Sequence, residues 1–439
     1  MNNQAIAKVQ FLQRQAASLL LYQSVFQGEV GKAFLNLLQA IRYPNAEARE
    51  CLEAYGYFFK ILASKNQNWE EYLISQILSD ENPFSSQAQL ELENLPPALI
   101  AAAKHDLQIL QSFHECSVAS LSEWVQCVAH LPISPVVWYT NQQKIEPTAQ
   151  LPLIEKLRTL SDWTNAVEDL TAFYRQYGTG IFALYKAFRW HSGELIGIRY
   201  PDAVKLNELV GYESQKEALI KNTEFLLSGQ LPLHVLLYGS RGSGKSSVVK
   251  ALLNEYANLN LRLIEVAKSE LKQLPQIVEL LRNKPQKFII FVDDLSFEED
   301  DDAFKALKVV LEGSLTARPP NVVVYATSNR RHLIREFFAD RPQPKDSDEV
   351  NAWDTLQEKL SFSDRFGLTL TFEPASQKAY LQIVRHLVEL SNIDISTEEL
   401  EFQALQWATR HNGRSGRTAK QFVDFLKAQN TIAENEKQK

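Results

Sequence analysis

One turn constrains this chain more than anything else in it. Residues 233–238 form a short apolar run that leads directly into Gly239-Ser240-Arg241-Gly242-Ser243-Gly244-Lys245-Ser246, and a helical pattern over residues 247–256, opening at Ser247, follows. The eight residues satisfy G-x-x-x-x-G-K-[ST], with strand, loop and helix in the required order. Glycines let the backbone curl until successive N–H groups and the helix N-terminus aim at one point, which suits an anion with several oxygens. Lys245 would then reach the outer phosphates of a nucleotide, and the Ser246 hydroxyl would reach Mg²⁺. The turn therefore predicts a bound nucleotide with Mg²⁺.

A strand that feeds such a turn needs parallel neighbours. Short apolar runs at residues 233–238, 261–266, 288–292, 321–326 and 368–372, separated by helical stretches, predict a five-stranded parallel α/β sheet. Residues 376–426 carry only helical patterns and predict a small helical lid. Ahead of the sheet, residues 5–26, 32–42, 46–64, 97–112 and 163–187 repeat apolar positions at three-to-four spacing, which predicts a mainly helical domain. The resulting division is 1–195, 196–373 for the nucleotide core, 374–428 for the lid, and a polar tail over 429–439. A chain of 439 residues is long enough for two or three such domains.

Composition excludes several classes. Hydrophobic residues at 45% and charged residues at 23% describe a globular chain rather than a disordered one. A formal charge of −7 supplies no global basic field, so contact with nucleic acid would need a local patch. The three cysteines, Cys51, Cys116 and Cys127, are widely spaced and belong to no CxxC or Cys/His cluster, as expected of buried thiols in a reducing compartment. No export signal is visible near the start and no run of apolar residues is long enough to span a membrane, so a cytoplasmic protein without a membrane span is expected.

Further candidates lie at strand ends. Residues 288–292 read as a strand buried on both faces, and it ends in Asp293-Asp294, where ligands of open α/β sheets bind. Asp293 is the candidate metal holder, because Mg²⁺ keeps most of its waters and takes few carboxylates. Asp294 or, one helical turn on, Glu298 would orient the attacking water; residues 299–302 read as a solvated acidic loop. The run ending at Ala326 continues as Thr327-Ser328-Asn329, which puts a polar side chain beside the phosphate turn. Asn329 could hold an outer phosphate or the water, or simply cap a turn. Arg365, just before the last strand, would project from the domain edge toward a neighbouring subunit or make a surface ion pair. Arg417, at the start of a lid helix, could reach back over the nucleotide with its fixed fork of donors; Arg414 is the weaker candidate.

Taken together, these blocks resemble the AAA+ ATPases. Residues 239–246 look like Walker A, 288–294 like Walker B, Asn329 like sensor 1, Arg365 like the arginine finger and Arg417 like sensor 2. Val210 and Gly211, within residues 206–219, are similar to the family's adenine-holding segment. More narrowly, residues 293–298, 325–333 and 414–417 look like a bacterial AAA+ family known as a domain of unknown function. Asp294 departs from the wider pattern, in which glutamate is usual. The resemblance covers about residues 200–428 and implies ATP binding, hydrolysis, and a homo-oligomer in which Arg365 acts in trans.

Two mechanisms stay open. One is an ATPase that couples turnover to the conformation of an unidentified protein or nucleic-acid client; the other is a nucleotide-dependent switch, adaptor or loader with little turnover. Residues 267–272 lack the aromatic-plus-glycine loop of a polypeptide-threading machine.

Overall fold

The computed structural model describes residues 2–44, 48–89, 95–139, 151–297, 302–312, 317–329, 362–411 and 413–437. Glu298 lies outside them, as do residues 299–301 and 330–333 of the motifs above. The chain forms two compact units, Met1–Leu184 and Tyr185–Lys439.

The first unit is helical: α1 (Asn2–Ala17), α2 (Glu29–Arg42), α3 (Arg49–Lys65), α4 (Trp69–Ser79), α5 (Pro83–Ala88), α6 (Pro97–His114), α7 (Val118–Val128), α8 (Leu151–Thr159), α9 (Val167–Tyr177) and α10 (Gly180–Leu184). Helix α2 shows why. It buries Val30, Ala33, Phe34, Leu37, Leu38 and Ile41, one stripe at three-to-four spacing, with Glu29 in its first turn and Arg42 in its last to suit the helix dipole. Phe34 stacks on Trp69 at 4.0 Å between centroids, at the centre of the core. Helix α5 starts with a capping box from Asn82 and Ser85, with Pro83 in its first turn.

Two predicted helices are broken: residues 163–187 divide into a 3-10 turn at Trp163–Ala166, α9 and α10, with Gly178 at φ 77° between the two helices and a strand opening at Ala187. The pattern over residues 5–26 resolves into α1 and a 3-10 turn at Gln23–Phe26. The fully buried Asp106 carboxylate accepts the backbone N–H groups of Leu20 at 3.0 Å, Leu21 at 2.7 Å and Tyr22 at 3.0 Å, so these donors point at a side chain rather than at a preceding turn.

The second unit holds a sheet of seven strands: β1 (Ala187–His191), β2 (Glu194–Ile198), β3 (Val235–Gly239), β4 (Leu261–Glu265), β5 (Lys287–Val292), β6 (Val322–Ser328) and β7 (Leu368–Phe372), in the order β2-β1-β4-β5-β6-β3-β7. Every neighbouring pair is parallel except β1 and β2. The five expected strands are present, and the count of five is corrected by a hairpin. Phe188 and Trp190 point inward while Arg189 and His191 point out, the two-residue period of a strand. Ser192 and Gly193 close it with φ of 52° and 89°, as a type I′ turn requires. The unit boundary therefore falls after Leu184, ahead of the expected residue 195, because the hairpin extends the second unit's sheet.

Strand β5 is buried from Phe288 to Val292, the continuous apolar reading of a strand covered on both faces. Helices α11 (Glu213–Leu227), α12 (Lys245–Tyr256), α13 (Leu274–Leu281) and α14 (Asp302–Glu312) flank the sheet sequence, and α15 (Gln377–Leu390), α16 (Thr397–Arg410) and α17 (Gly416–Lys437) form the lid. The lid packs on Tyr380, Val384, Leu400, Ala404, Phe422 and Val423. Helix α17 runs on to Lys437, where a polar tail is expected. Residues 428–437 contain no Gly or Pro and several good helix formers, so polarity there continues the helix rather than ending it.

Candidate functional site

The glycine turn, residues 239–246, lies where β3 gives way to α12. Gly239 is at φ 140°, and a Cβ on it would sit 1.9 Å from the Phe372 carbonyl oxygen of β7, so only glycine fits. Gly242 and Gly244 adopt φ of 75° and 94°, the left-handed region that side chains disfavour. The loop borders a cleft of about 580 Å³, a size suited to a cofactor. Arg241, Gly242, Ser243, Gly244, Lys245, Ser246 and Ser247 all line it.

Lys245 is the most buried charged group of the turn. Its Nζ donates to the carbonyls of Gly239 at 3.0 Å and Ser240 at 2.8 Å and to Asn329 Oδ1 at 3.3 Å. Burial pulls its pKa below the usual lysine range; Asp293 and Asp294 push it back up, and Arg417 adds to the lowering. Ser246 Oγ donates to Asp293 Oδ1 at 2.7 Å, which joins the start of α12 to the end of β5. Asp294 follows at φ 51°, and its Oδ1 accepts Asn329 Nδ2 at 2.6 Å. One polar chain thus runs from Lys245 through Asn329 to Asp294, with Ser246 and Asp293 beside it.

The far end of the cleft is apolar. Leu209, Val210, Gly211 and Tyr212 approach from the segment before α11, and Ile383 and Leu387 from lid helix α15. The Tyr212 ring lies 4.9 Å from that of Phe372, and its hydroxyl donates to the Glu373 carbonyl. Arg417 lines the cleft from the start of α17, and its backbone N–H donates to Gly242 O at 3.2 Å, tying the lid to the turn.

Two arginines stand elsewhere. Arg365 ends a 3-10 turn, Phe362–Arg365, and pairs with Glu312 at the end of α14; it is not among the described residues that line the cleft. Arg414 also stays outside and donates to Gln377 Oε1 at 3.4 Å. Sequence reading missed Lys420, Gln421 and Asp424, which face the cleft three, four and seven positions after Arg417. Helical periodicity from Arg417 is the signal that finds them. It also missed Thr327, which lines the cleft from the end of β6.

A glycine turn at the carboxyl edge of a mostly parallel sheet, with the glycine-loop strand flanked by β6 and β7 and a helical lid behind it, defines an α/β P-loop fold of the AAA+ type. Within that class the chain belongs to the family described as protein of unknown function (DUF815), whose model matches residues 183–430. No curated protein matches it. Among solved structures the chain is similar to RuvB of Thermotoga maritima: one mutant is 16% identical over 53% of this chain and 67% of that one, with a TM-score of 0.36. A second mutant is 16% identical over 52% and 66%, also at 0.36. A third RuvB structure, titled a Holliday junction branch migration motor, is 14% identical over 51% and 72%, at 0.29. Among the described residues, no helix is long and apolar enough to cross a membrane.

Proposed function

We propose that this chain binds ATP with Mg²⁺ in the cleft of its second unit and hydrolyses it, using the cycle to change the conformation of a protein or nucleic-acid client. The observation that carries the reading is the convergence of Lys245, Ser246 and Asp293 at a glycine turn that lines the cleft. The donor set fits the metal: the Ser246 hydroxyl and the neighbouring Asp293 carboxylate are hard ligands, and Mg²⁺ needs few of them beyond its own waters. It fits the phosphates too, since Lys245 rests on two neutral carbonyls that cannot match a charged partner.

Bound Mg²⁺ would neutralise charge on the outer phosphates. Lys245 and the loop N–H groups would orient them, and Arg417 would report their presence to the lid. Asp294 would hold the proton of the attacking water, with Asn329 keeping its carboxylate in place. Val210 and Gly211 would seat the base against Ile383 and Leu387. Arg365, held to Glu312 in its own chain, would serve the site of a neighbouring subunit in a homo-oligomer. A switch with little turnover draws support from the short Asp294 side chain, already engaged by Asn329.

Steady-state phosphate release separates the two. The ATPase reading expects Asp294→Asn to lose about 10²- to 10⁴-fold of the rate, the worth of a positioned base, and Arg365→Ala to lose about 10³- to 10⁵-fold. Near-zero release by the unaltered chain at every protein concentration would favour the switch.

A further inference from the structure

We propose that Thr327 positions the metal-holding and water-orienting carboxylates as a pair, through a single hydroxyl. The inference rests on the nucleotide site described above. Strand β5 stays in register with β6 as far as Val292, which faces Ala326. One further step of the ladder would set Asp293 opposite Thr327. Instead the chain turns away, with Asp294 in the left-handed region at φ 51°. That conformation is disfavoured for a residue with a side chain, although aspartate tolerates it better than most.

Thr327 holds the turn in place. Its Oγ1 accepts the Asp294 N–H at 2.9 Å, and its carbonyl accepts the Leu295 N–H at 2.7 Å. Ser328 Oγ closes the strap on the Leu295 carbonyl at 2.8 Å. A threonine hydroxyl has one proton to give. With the Asp294 amide donating into it, that proton goes to Asp293 Oδ1. The same carboxylate oxygen takes the Ser246 hydroxyl, whereas Oδ2 accepts no hydrogen bond from a described residue. Asp293 is thereby oriented with one oxygen committed and the other open. Asp294 is turned by the same hydroxyl toward Asn329, whose Nδ2 it meets at 2.6 Å.

Burial makes this arrangement stiff. Thr327 is 2% exposed, and its branched Cβ restricts χ1, so the hydroxyl has little freedom to leave either partner. Valine preserves the shape and removes both hydrogen bonds. Serine preserves the bonds and removes the methyl. Thr327 lines the cleft, but its hydroxyl is spent on Asp293 and the Asp294 amide, so a positioning role is read in the Mg²⁺-dependent part of uptake and a merely structural role in uptake with and without the metal alike.

The experiment is calorimetric uptake of ATP, with Mg²⁺ and in excess chelator, by the unaltered chain, Thr327→Val and Thr327→Ser. Thr327→Val is expected to lose about 10- to 100-fold of the tightening that Mg²⁺ confers, the usual cost of removing a partner behind a metal ligand, while uptake in chelator stays within about two-fold. Thr327→Ser is expected to keep the tightening. If Thr327→Val does not fold, Thr327→Ala removes the same hydroxyl and carries the same expectation. Thr327→Val that retains the full Mg²⁺ effect overturns the proposal, as does equal weakening with and without the metal, or a serine variant as impaired as valine. An unaltered chain that takes up no ATP would instead remove the nucleotide reading beneath it.

Discussion

Asp106 in the first unit and Lys245 in the second are both buried charges held by main-chain groups, and they serve opposite ends. Asp106 is fully enclosed and takes three backbone N–H groups, each a donor matched to its charge. Lys245 is 6% exposed but rests on two carbonyls and an amide at the rim of an open cleft. Neutral acceptors compensate a desolvated cation only in part, and the downward pull on its pKa reports the remainder. A charge that completes a core has nowhere else to go. A charge that is incompletely matched beside a cavity is poised for a ligand.

Replacing each group tests the contrast. Lys245→Ala is expected to weaken ATP uptake by about 100-fold or more, the worth of a charge-assisted contact to phosphate. It should change the thermal unfolding of the nucleotide-free chain little, because the lysine's desolvation is relieved while Asp293 and Asp294 lose a cation. Calorimetry and a melting curve read the two effects. Equal uptake by the variant would break the comparison at its stronger end.

Asp106→Ala should do the reverse. It strands three backbone donors, two of them partly buried and one buried, at an expected cost of about 2–3 kcal/mol in the denaturant unfolding of the first unit. ATP uptake by the folded variant should be unchanged. A smaller loss would mean that water replaces the carboxylate, and Asp106 would then be an ornament of the core rather than its pin.

What could be read in the sequence follows the same division. Gly239 to Ser246 announce themselves because glycine, lysine and serine are forced at fixed spacing by backbone geometry and phosphate chemistry, and the structure puts Ser246 against Asp293 and Lys245 against Asn329. The strands of the parallel core were legible because burial on both faces demands unbroken apolar runs. The β1–β2 hairpin was not, since Phe188, Trp190 and their neighbours read equally as the end of an aromatic helix; only Ser192-Gly193 marks the turn. The break after α1 was invisible for a stronger reason. Its cause, Asp106, lies more than eighty residues away in the chain, and no local pattern carries a contact of that range. Thr327 was hidden differently: its work depends on the left-handed turn at Asp294, a feature of the backbone rather than of the residue type.

The smallest effect concerns protons rather than ligands. His234, just before β3, is 4% exposed, and its Nδ1 accepts the Val324 N–H at 3.0 Å. Burial pulls its pKa down to about 3, with the Arg318 cation adding to the shift. An unfolded histidine titrates near 6.5, so between about pH 6.5 and about pH 3 the unfolded chain binds a proton that the folded chain refuses. Stability from this group is complete above that window and is lost as pH falls through it. His114 in the first unit is also lowered by burial, so acid weakens both units and a simple pH titration cannot assign the slope. His234→Asn keeps an oxygen able to accept from Val324 and removes the titrating ring. It should reduce the pH dependence of the second unit's unfolding between about pH 5 and about pH 6 by roughly one proton, near 1.4 kcal/mol per pH unit, and leave the first unit's slope as it was. Equal slopes in the second unit before and after the substitution would place the acid sensitivity elsewhere.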